Sequence, residues 1–273
     1  MDWRPLVVVA LVCLAGCGTL IGDDADSGET LTPAPVPSVT PTDTTERVLP
    51  PGVSGGGRLD LDELAAAHRD ALANRSYVWR EWRGSHDPGV TETDDLLLVR
   101  SARVAAEDRY RYWADSYLVD LGMRTRFVHN YSEYVTGGVG YARLSPSGAE
   151  PVEVRRLPAP SASDRVGDET APAIRRYLSL PAEDVTVTVL RRGDPARYRI
   201  DGHTATVPGA NPVRNYSVTA VVSADGLLRS LSVSYRTDRP DGPTVVRYRF
   251  ELSELGGTTV GPPDWYDPDG RVP

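Results

Sequence analysis

Lysine is absent from this chain; all 30 basic residues are arginine. Cysteine occurs only at Cys13 and Cys17, and phenylalanine only at Phe127 and Phe250. With no cysteine beyond residue 17 a disulfide framework is excluded, so the fold must be held by its own core. His68, His86, His129 and His203 show no paired metal spacing, and no thiolate is at hand to complete a zinc site. Against the arginines stand 38 acidic residues, for a net charge of -8. Nucleic acid is therefore not an expected partner, because its phosphates demand a basic stripe.

A catalytic constellation is missing too. Gly52-Val53-Ser54-Gly55-Gly56 matches G-x-S-x-G in letters. A nucleophile elbow needs a strand before it and a helix after it, whereas this stretch lies in a glycine-rich linker. Asp201-Gly202-His203 reads as a turn rather than part of a triad. Asp264, Asp267 and Asp269 with Gly270 lack the spacing and the bidentate glutamate of a calcium loop, which favours a solvated acidic tail. No metal, no cofactor and no enzymatic activity are expected.

Long apolar runs are scarce, and the one at the N-terminus is short. Arg4 precedes Leu6-Val7-Val8-Val9-Ala10-Leu11-Val12, and Leu14-Ala15-Gly16-Cys17 closes the segment. That order is a secretory signal with a lipobox. Small residues Ala15 and Gly16 suit a peptidase cleft that holds the peptide extended, and the cut leaves Cys17 to carry lipid. Cys13 fits less well because bulky Val12 precedes it, and the lack of twin arginines favours a Sec-type route. An uncleaved span is the alternative; the run ends by Ile21 and includes Gly16 and Gly18, short of the ~20 residues a bilayer needs. Either way Arg4 stays inside and the rest is exported. The expected location is the outer face of the cytoplasmic membrane.

Charge is unevenly placed along the exported part. Residues 18–57 hold six acids against Arg47, a net of -5, and residues 58–273 carry the other -3. Thr32-Pro33-Ala34-Pro35-Val36-Pro37, Thr40-Pro41-Thr42 and Gly55-Gly56-Gly57 give that stretch a composition that cannot offset ordering entropy. About forty such residues average ~35 Å as a coil and reach ~130 Å when pulled straight. Plain linker and O-glycosylated stalk both fit it. The predicted division is a signal at 1–16, lipidated Cys17 with a disordered tether to 57, a folded domain at 58–256, and a Pro/Asp-rich tail at 257–273.

The folded part should open with a helix. Asp60 is a good N-cap, Glu63 three residues on completes a capping-box pair, and Leu59 with Leu64 is placed as a staple. Leu61, Leu64, Ala65, His68 and Leu72 form one stripe, and the helix should stop near Asn74. From Ser76 the period changes to two. Strands are predicted near 77–82, 92–105, 108–115, 122–130, 132–137 and 139–144. A long connection should follow over 145–168, then a second helix at about 170–179 capped by Thr170 and stopped by Pro181. Strands at 185–190, 197–202, 215–223, 227–235 and 244–252 complete the chain, with Ala224-Asp225-Gly226 the strongest hairpin signal. Hairpin-length turns imply an antiparallel sheet. The rings of Trp265 and Tyr266 should pack the tail back on the domain.

Four strands share one pattern: Arg109-Tyr110-Arg111-Tyr112, Arg124-Thr125-Arg126-Phe127, Arg197-Tyr198-Arg199-Ile200 and Arg247-Tyr248-Arg249-Phe250. Alternation puts the arginines on one wet face and the rings on a covered one. The arginine face reads as a solvated surface, with an anion site as the alternative. Thirteen tyrosines and five tryptophans against two phenylalanines suggest rings at the rim of a groove; strand preference for tyrosine accounts for much of the same bias. The candidate groove residues are Tyr77, Trp79, Trp82, Tyr110, Tyr112, Trp113, Tyr198, Tyr248 and Phe250. Asn74, Asn130 and Asn215 head sequons and are candidate N-glycosylation sites in an exported protein.

The lipobox, the tether, the capped helix running into Ser76-Tyr77-Val78, the paired strand sets around a middle helix and the closing Pro263-Asp264-Trp265 resemble haloarchaeal lipoproteins. The missing lysine and acidic balance point the same way. More distantly, the layout of residues 58–256 is similar to the LolA/LppX-like fold of lipoprotein carriers and lipid-binding lipoproteins. The resemblance implies an α+β, mostly β domain: a curved antiparallel sheet forming an open half-barrel, its concave face covered by one or two helices. It also implies a non-catalytic binding module for a hydrophobic or lipid-like molecule. The alternative is a structural domain of the envelope that docks another protein and holds no ligand. The anchor predicts that Cys17→Ser shifts much of the protein from the membrane to the soluble fraction. Unchanged retention at unchanged mass would instead identify an uncleaved span.

Overall fold

Helix α1 (Leu61–Leu72) starts where the capping signals place it. The Asp60 carboxylate accepts the Glu63 backbone N–H at 3.0 Å. The Asp60 N–H, which a capping box would give to Glu63, donates instead to the Gly52 carbonyl at 2.8 Å. That bond ties in a segment expected to belong to the tether. Val53 is buried and bridges to Leu59, and Leu49 packs against the core. Gly52 sits there for its backbone: at φ +74° a Cβ would lie 2.4 Å from the Asp60 carbonyl oxygen. Glycines read as linker residues are thus partly sites of close backbone approach. The computed structural model describes residues 49–86, 95–115, 117–120, 125–145, 152–192, 195–207, 213–239 and 242–267. Cys17 and its lipobox lie outside them.

Beyond α1 run β1 (Tyr77–His86), β2 (Asp95–Ala106) and β3 (Arg109–Ala114), then a separate hairpin of β4 (Tyr117–Asp120) and β5 (Thr125–Val128). Next come β6 (Tyr131–Thr136), β7 (Val139–Leu144), β8 (Glu153–Pro158) and helix α2 (Ala162–Tyr177). A single 3-10 turn at Ala182–Asp184 leads into β9 (Val185–Arg191), β10 (Arg197–Val207), β11 (Val213–Ser223), β12 (Leu228–Arg239) and β13 (Gly242–Ser253). Eleven strands form one antiparallel sheet in the order β8-β7-β6-β3-β2-β1-β13-β12-β11-β10-β9. The first and last strands pair at its middle, Trp79 opposite Leu252 and Glu81 opposite Phe250. Strand twist curls so wide an open sheet, and both helices pack on the concave side. This is the half-barrel, mostly β, that the layout implied.

Two expectations fail between β7 and β9. The supposed long connection contains β8, and α2 begins eight residues before Thr170, at Ala162. Ser161 is the cap: its hydroxyl accepts the Asp164 N–H at 3.1 Å. Thr170 is buried inside the helix and donates to the Val166 carbonyl at 3.0 Å, and Pro172 lies in the helix interior. Gly167 and Pro172 both depress local helix propensity. Burial of Ala162, Val166, Ala173, Ile174 and Tyr177 against the sheet overrides it. Gly167 also lets Arg69 of α1 cross closely, since a Cβ there would meet Arg69 Nε at 2.7 Å. The helices run antiparallel, with Arg69–Asp168 at 2.7 Å and Arg175–Asp62 at 2.6 Å across them.

Glu107, in the β2–β3 turn, joins the helices to the sheet. One carboxylate oxygen accepts the Asn74 N–H at 3.0 Å; the other accepts the Ser163 N–H at 3.0 Å and its hydroxyl at 2.9 Å. The Glu107 carbonyl takes the Ala162 N–H at 2.9 Å. A negative side chain at the positive end of α2 satisfies N–H groups that have no partner in the helix. Glu107→Ala should cost about 2 kcal/mol, read as a lower urea midpoint at unchanged slope; an unchanged midpoint would show that this turn does not hold the helices.

Candidate functional site

Alternation along the strands sorts the aromatic candidates. Tyr77, Trp79, Tyr110, Tyr112, Tyr198, Tyr248 and Phe250 all belong to the buried core between sheet and helices. Trp82 and Trp113 do not join them. Trp82 is three residues from Trp79, hence on the opposite face, where the Arg249 guanidinium lies 5.0 Å from its ring centre. Trp113 shares its face with exposed Arg109 and Arg111. The inward rings are covered, so an open aromatic rim does not exist among the described residues. The outward arginines behave as expected: Arg199 pairs with Asp201 at 2.6 Å and Arg249 with Glu251 at 2.9 Å. The arginines at 124 and 126 have side chains outside the described residues.

What the aromatic pattern concealed is a set of charges inside the half-barrel. Glu133 of β6 is 3% exposed. It accepts from Tyr131 at 2.9 Å and from Arg165 of α2, and lies 3.0 Å from the Tyr110 hydroxyl. That carboxylate is fully provided for. Glu81 of β1 is 4% exposed and is not. Its nearest cation is Arg100 of β2, 3.6 Å away, and Arg100 is bonded to Glu169 of α2. Glu81 Oε2 has no hydrogen-bond partner, nor do Trp79 Nε1, Arg83 Nε and the Tyr248 hydroxyl. The Tyr248 hydroxyl approaches Glu81 without satisfactory hydrogen-bond geometry. All four groups stand on the paired strands β1 and β13, where Arg83 is opposite Tyr248.

Burial dominates the electrostatics here. It pushes the Glu81 carboxyl up to about 7, with Arg100 only partly offsetting it. It pushes the Tyr248 phenol well above its usual range, helped by the neighbouring Glu81 carboxylate. His68 of α1 is driven down to about 3 by complete burial. Its Nδ1 accepts the Leu228 N–H at 3.1 Å, so Nε2 carries the proton and donates to Thr170 Oγ at 3.1 Å. Thr170 passes the chain to the Val166 carbonyl. His68 is a neutral core residue bridging α1, α2 and the β11–β12 turn.

Other candidates are structural. Asp201-Gly202-His203 is not a turn; it lies within β10, where a Gly202 Cβ would meet Leu180 at 2.5 Å. Among the described residues no cluster of His, Cys, Asp or Glu is placed to hold a metal, and no helix is long and apolar enough to cross a membrane. Asp269 and Gly270 lie outside the described residues. Asn74, Asn130 and Asn215 are exposed and take φ of +58°, +27° and +52°. Asparagine tolerates that left-handed region better than other L-residues, which gives all three a conformational reason to be there. Tyr266 of the tail packs edge-on against Tyr134 and Tyr141, each 4.8 Å away, on the convex face.

No protein-family model and no curated protein matches the sequence. Among solved structures, a crystal structure of a DUF1329 family protein from Desulfovibrio piger is similar over 76% of this chain and 94% of its own, at 16% identity and a TM-score of 0.19. A likeness at that score adds nothing to the architecture.

The raised Glu81 pKa makes a stability prediction of definite sign. A carboxyl that prefers its proton in the folded state stabilises below its unfolded value near 4.5 and loses that contribution as pH rises through about 7. Glu81→Gln, which mimics the protonated acid, should match wild type near pH 4.5. It should exceed wild type by up to about 3 kcal/mol at pH 8, several degrees in Tm. A Tm difference that stays constant across that range would refute the assignment.

Proposed function

We propose that this protein is a membrane-anchored extracytoplasmic lipoprotein, tethered through Cys17, whose half-barrel is a non-catalytic binding module for an amphiphilic, lipid-like molecule. One observation supports the reading: on the paired strands β1 and β13, four buried polar atoms, on Trp79, Glu81, Arg83 and Tyr248, have no hydrogen-bond partner. Each such group costs about 1–3 kcal/mol, and native interiors seldom keep several together. Around them Tyr112, Tyr177 and Phe250 supply apolar surface. A molecule with a polar head and a hydrocarbon body would satisfy the first and pack against the second. α2 is the natural cover, because it meets the sheet partly through Glu169 and Arg165 rather than through apolar side chains alone.

The competing reading is an interaction domain whose interior is simply full. It is favoured by the complete burial of Tyr77, Trp79 and Tyr110. Full-length protein purified in mild detergent from the membranes of the producing cells discriminates the two. A non-covalent adduct in native mass spectrometry, released as a lipid into organic solvent, supports the binding module. Bare protein in every preparation, with a copurifying protein lost on Trp82→Ala and Trp113→Ala, decides for docking.

A further inference from the structure

Resting on the binding-module reading, we infer that the head group of the bound molecule is an uncharged polyol or glyceride, gripped along β1 and β13. The inward residues Trp79, Glu81 and Arg83 alternate on β1, so their side chains rise at ~7 Å intervals over ~13 Å. Tyr248 stands opposite Arg83 on β13. Among the described residues of β1 and β13, the buried atoms without a hydrogen-bond partner are three donors, namely Trp79 Nε1, Arg83 Nε and the Tyr248 O–H, and one acceptor, Glu81 Oε2. A hydroxyl answers both kinds, donating to the carboxylate while accepting from the phenol or the indole. Two or more hydroxyls or ester oxygens spaced along the strand answer the row.

Charge selects against the ionised alternatives. With Glu81 ionised, as it is above about pH 7, the inward acids Glu81 and Glu169 are balanced by Arg83 and Arg100, and Arg100 already bonds to Glu169. A phosphate would stand in low dielectric beside Glu81 and would compete with that carboxylate for Arg83. An ammonium would stand beside Arg83 and Arg100. Either head strands a like charge, whereas a neutral polyol strands none.

The test uses full-length protein in detergent, offered an equimolar mixture of 1-oleoylglycerol, 1-oleoylglycerol 3-phosphate and oleylamine, with adducts counted by native mass spectrometry. 1-Oleoylglycerol should lead each charged probe by at least ~10-fold. Tyr248→Phe removes only a hydroxyl without a well-formed bond, so its far-ultraviolet dichroism and cooperative unfolding should be retained while that preference falls ~5–10-fold. Equal or better binding of a charged probe, or a preference untouched by Tyr248→Phe, overturns the head-group assignment and leaves the binding module standing. Failure of all three probes to bind overturns the binding module itself.

Discussion

Pairing of the first strand with the last sets the plan of the molecule. β1 and β13 are hydrogen-bonded from Val78 opposite Ser253 to His86 opposite Val245, which fuses two meanders into one sheet. Once that pair is made, β8 and β9, consecutive along the chain, lie at opposite edges of eleven strands. Laid flat, those edges would stand ~48 Å apart. The sixteen residues of α2 supply only ~24 Å of that distance as helix. A curled sheet shortens the crossing, and the short path runs over its concave side. The cover over the half-barrel is therefore a consequence of strand order as much as of apolar packing.

Holding that cover in register falls to polar groups. α2 turns Arg165 and Glu169 inward, four residues apart and so one above the other. Arg165 meets Glu133 of β6, and Glu169 meets Arg100 of β2 and Tyr112 of β3. Buried pairs of this kind seldom out-stabilise apolar residues of the same volume. They do penalise every other placement, because a shift of one turn would leave two charges unpaired. Arg165 also rests 5.1 Å from the centre of the Tyr112 ring, so the same side chain serves as ion pair and cation–π partner.

Much of this was legible in the chain, and the misses have physical causes. Arg-Tyr-Arg-Tyr at 109–112 declares a half-buried strand, and β3 has that alternation of burial. Asp60 announces α1 because a cap is a local signal. α2 extends beyond its sequence signals because its first turns, with Gly167 and Pro172, are poor helix in isolation and are rescued by burial against strands far away in sequence. Composition alone marks Gly52 and Gly57 as linker, although Gly57 too has positive φ and would strike the Val185 carbonyl at 2.6 Å with a Cβ. The placement of Trp82 was recoverable: three residues from Trp79 means the other face. Glu81 carried a signal as well, sharing parity with Tyr77 and Trp79. Its missing partner is a tertiary fact that no local pattern encodes.

The excess of tyrosine over phenylalanine finds its explanation in the same place. Inward hydroxyls reach α2 or the residues flanking it from end to end: Tyr77 to the Ala162 carbonyl, Tyr110 to Pro160, Tyr112 to Glu169 and Tyr216 to the Tyr177 carbonyl. A phenylalanine at any of these positions would pack as well and leave a backbone or carboxylate acceptor dry. The Tyr216 bond at 2.6 Å even serves one of the last carbonyls of the helix, which has no partner within it. Tyr248 breaks the pattern. It is buried like them and its ring lies 4.6 Å from that of Tyr177, yet its hydroxyl ends beside a carboxyl without a well-formed bond. Unlike those four hydroxyls, it makes no bond to α2 or to the residues flanking it.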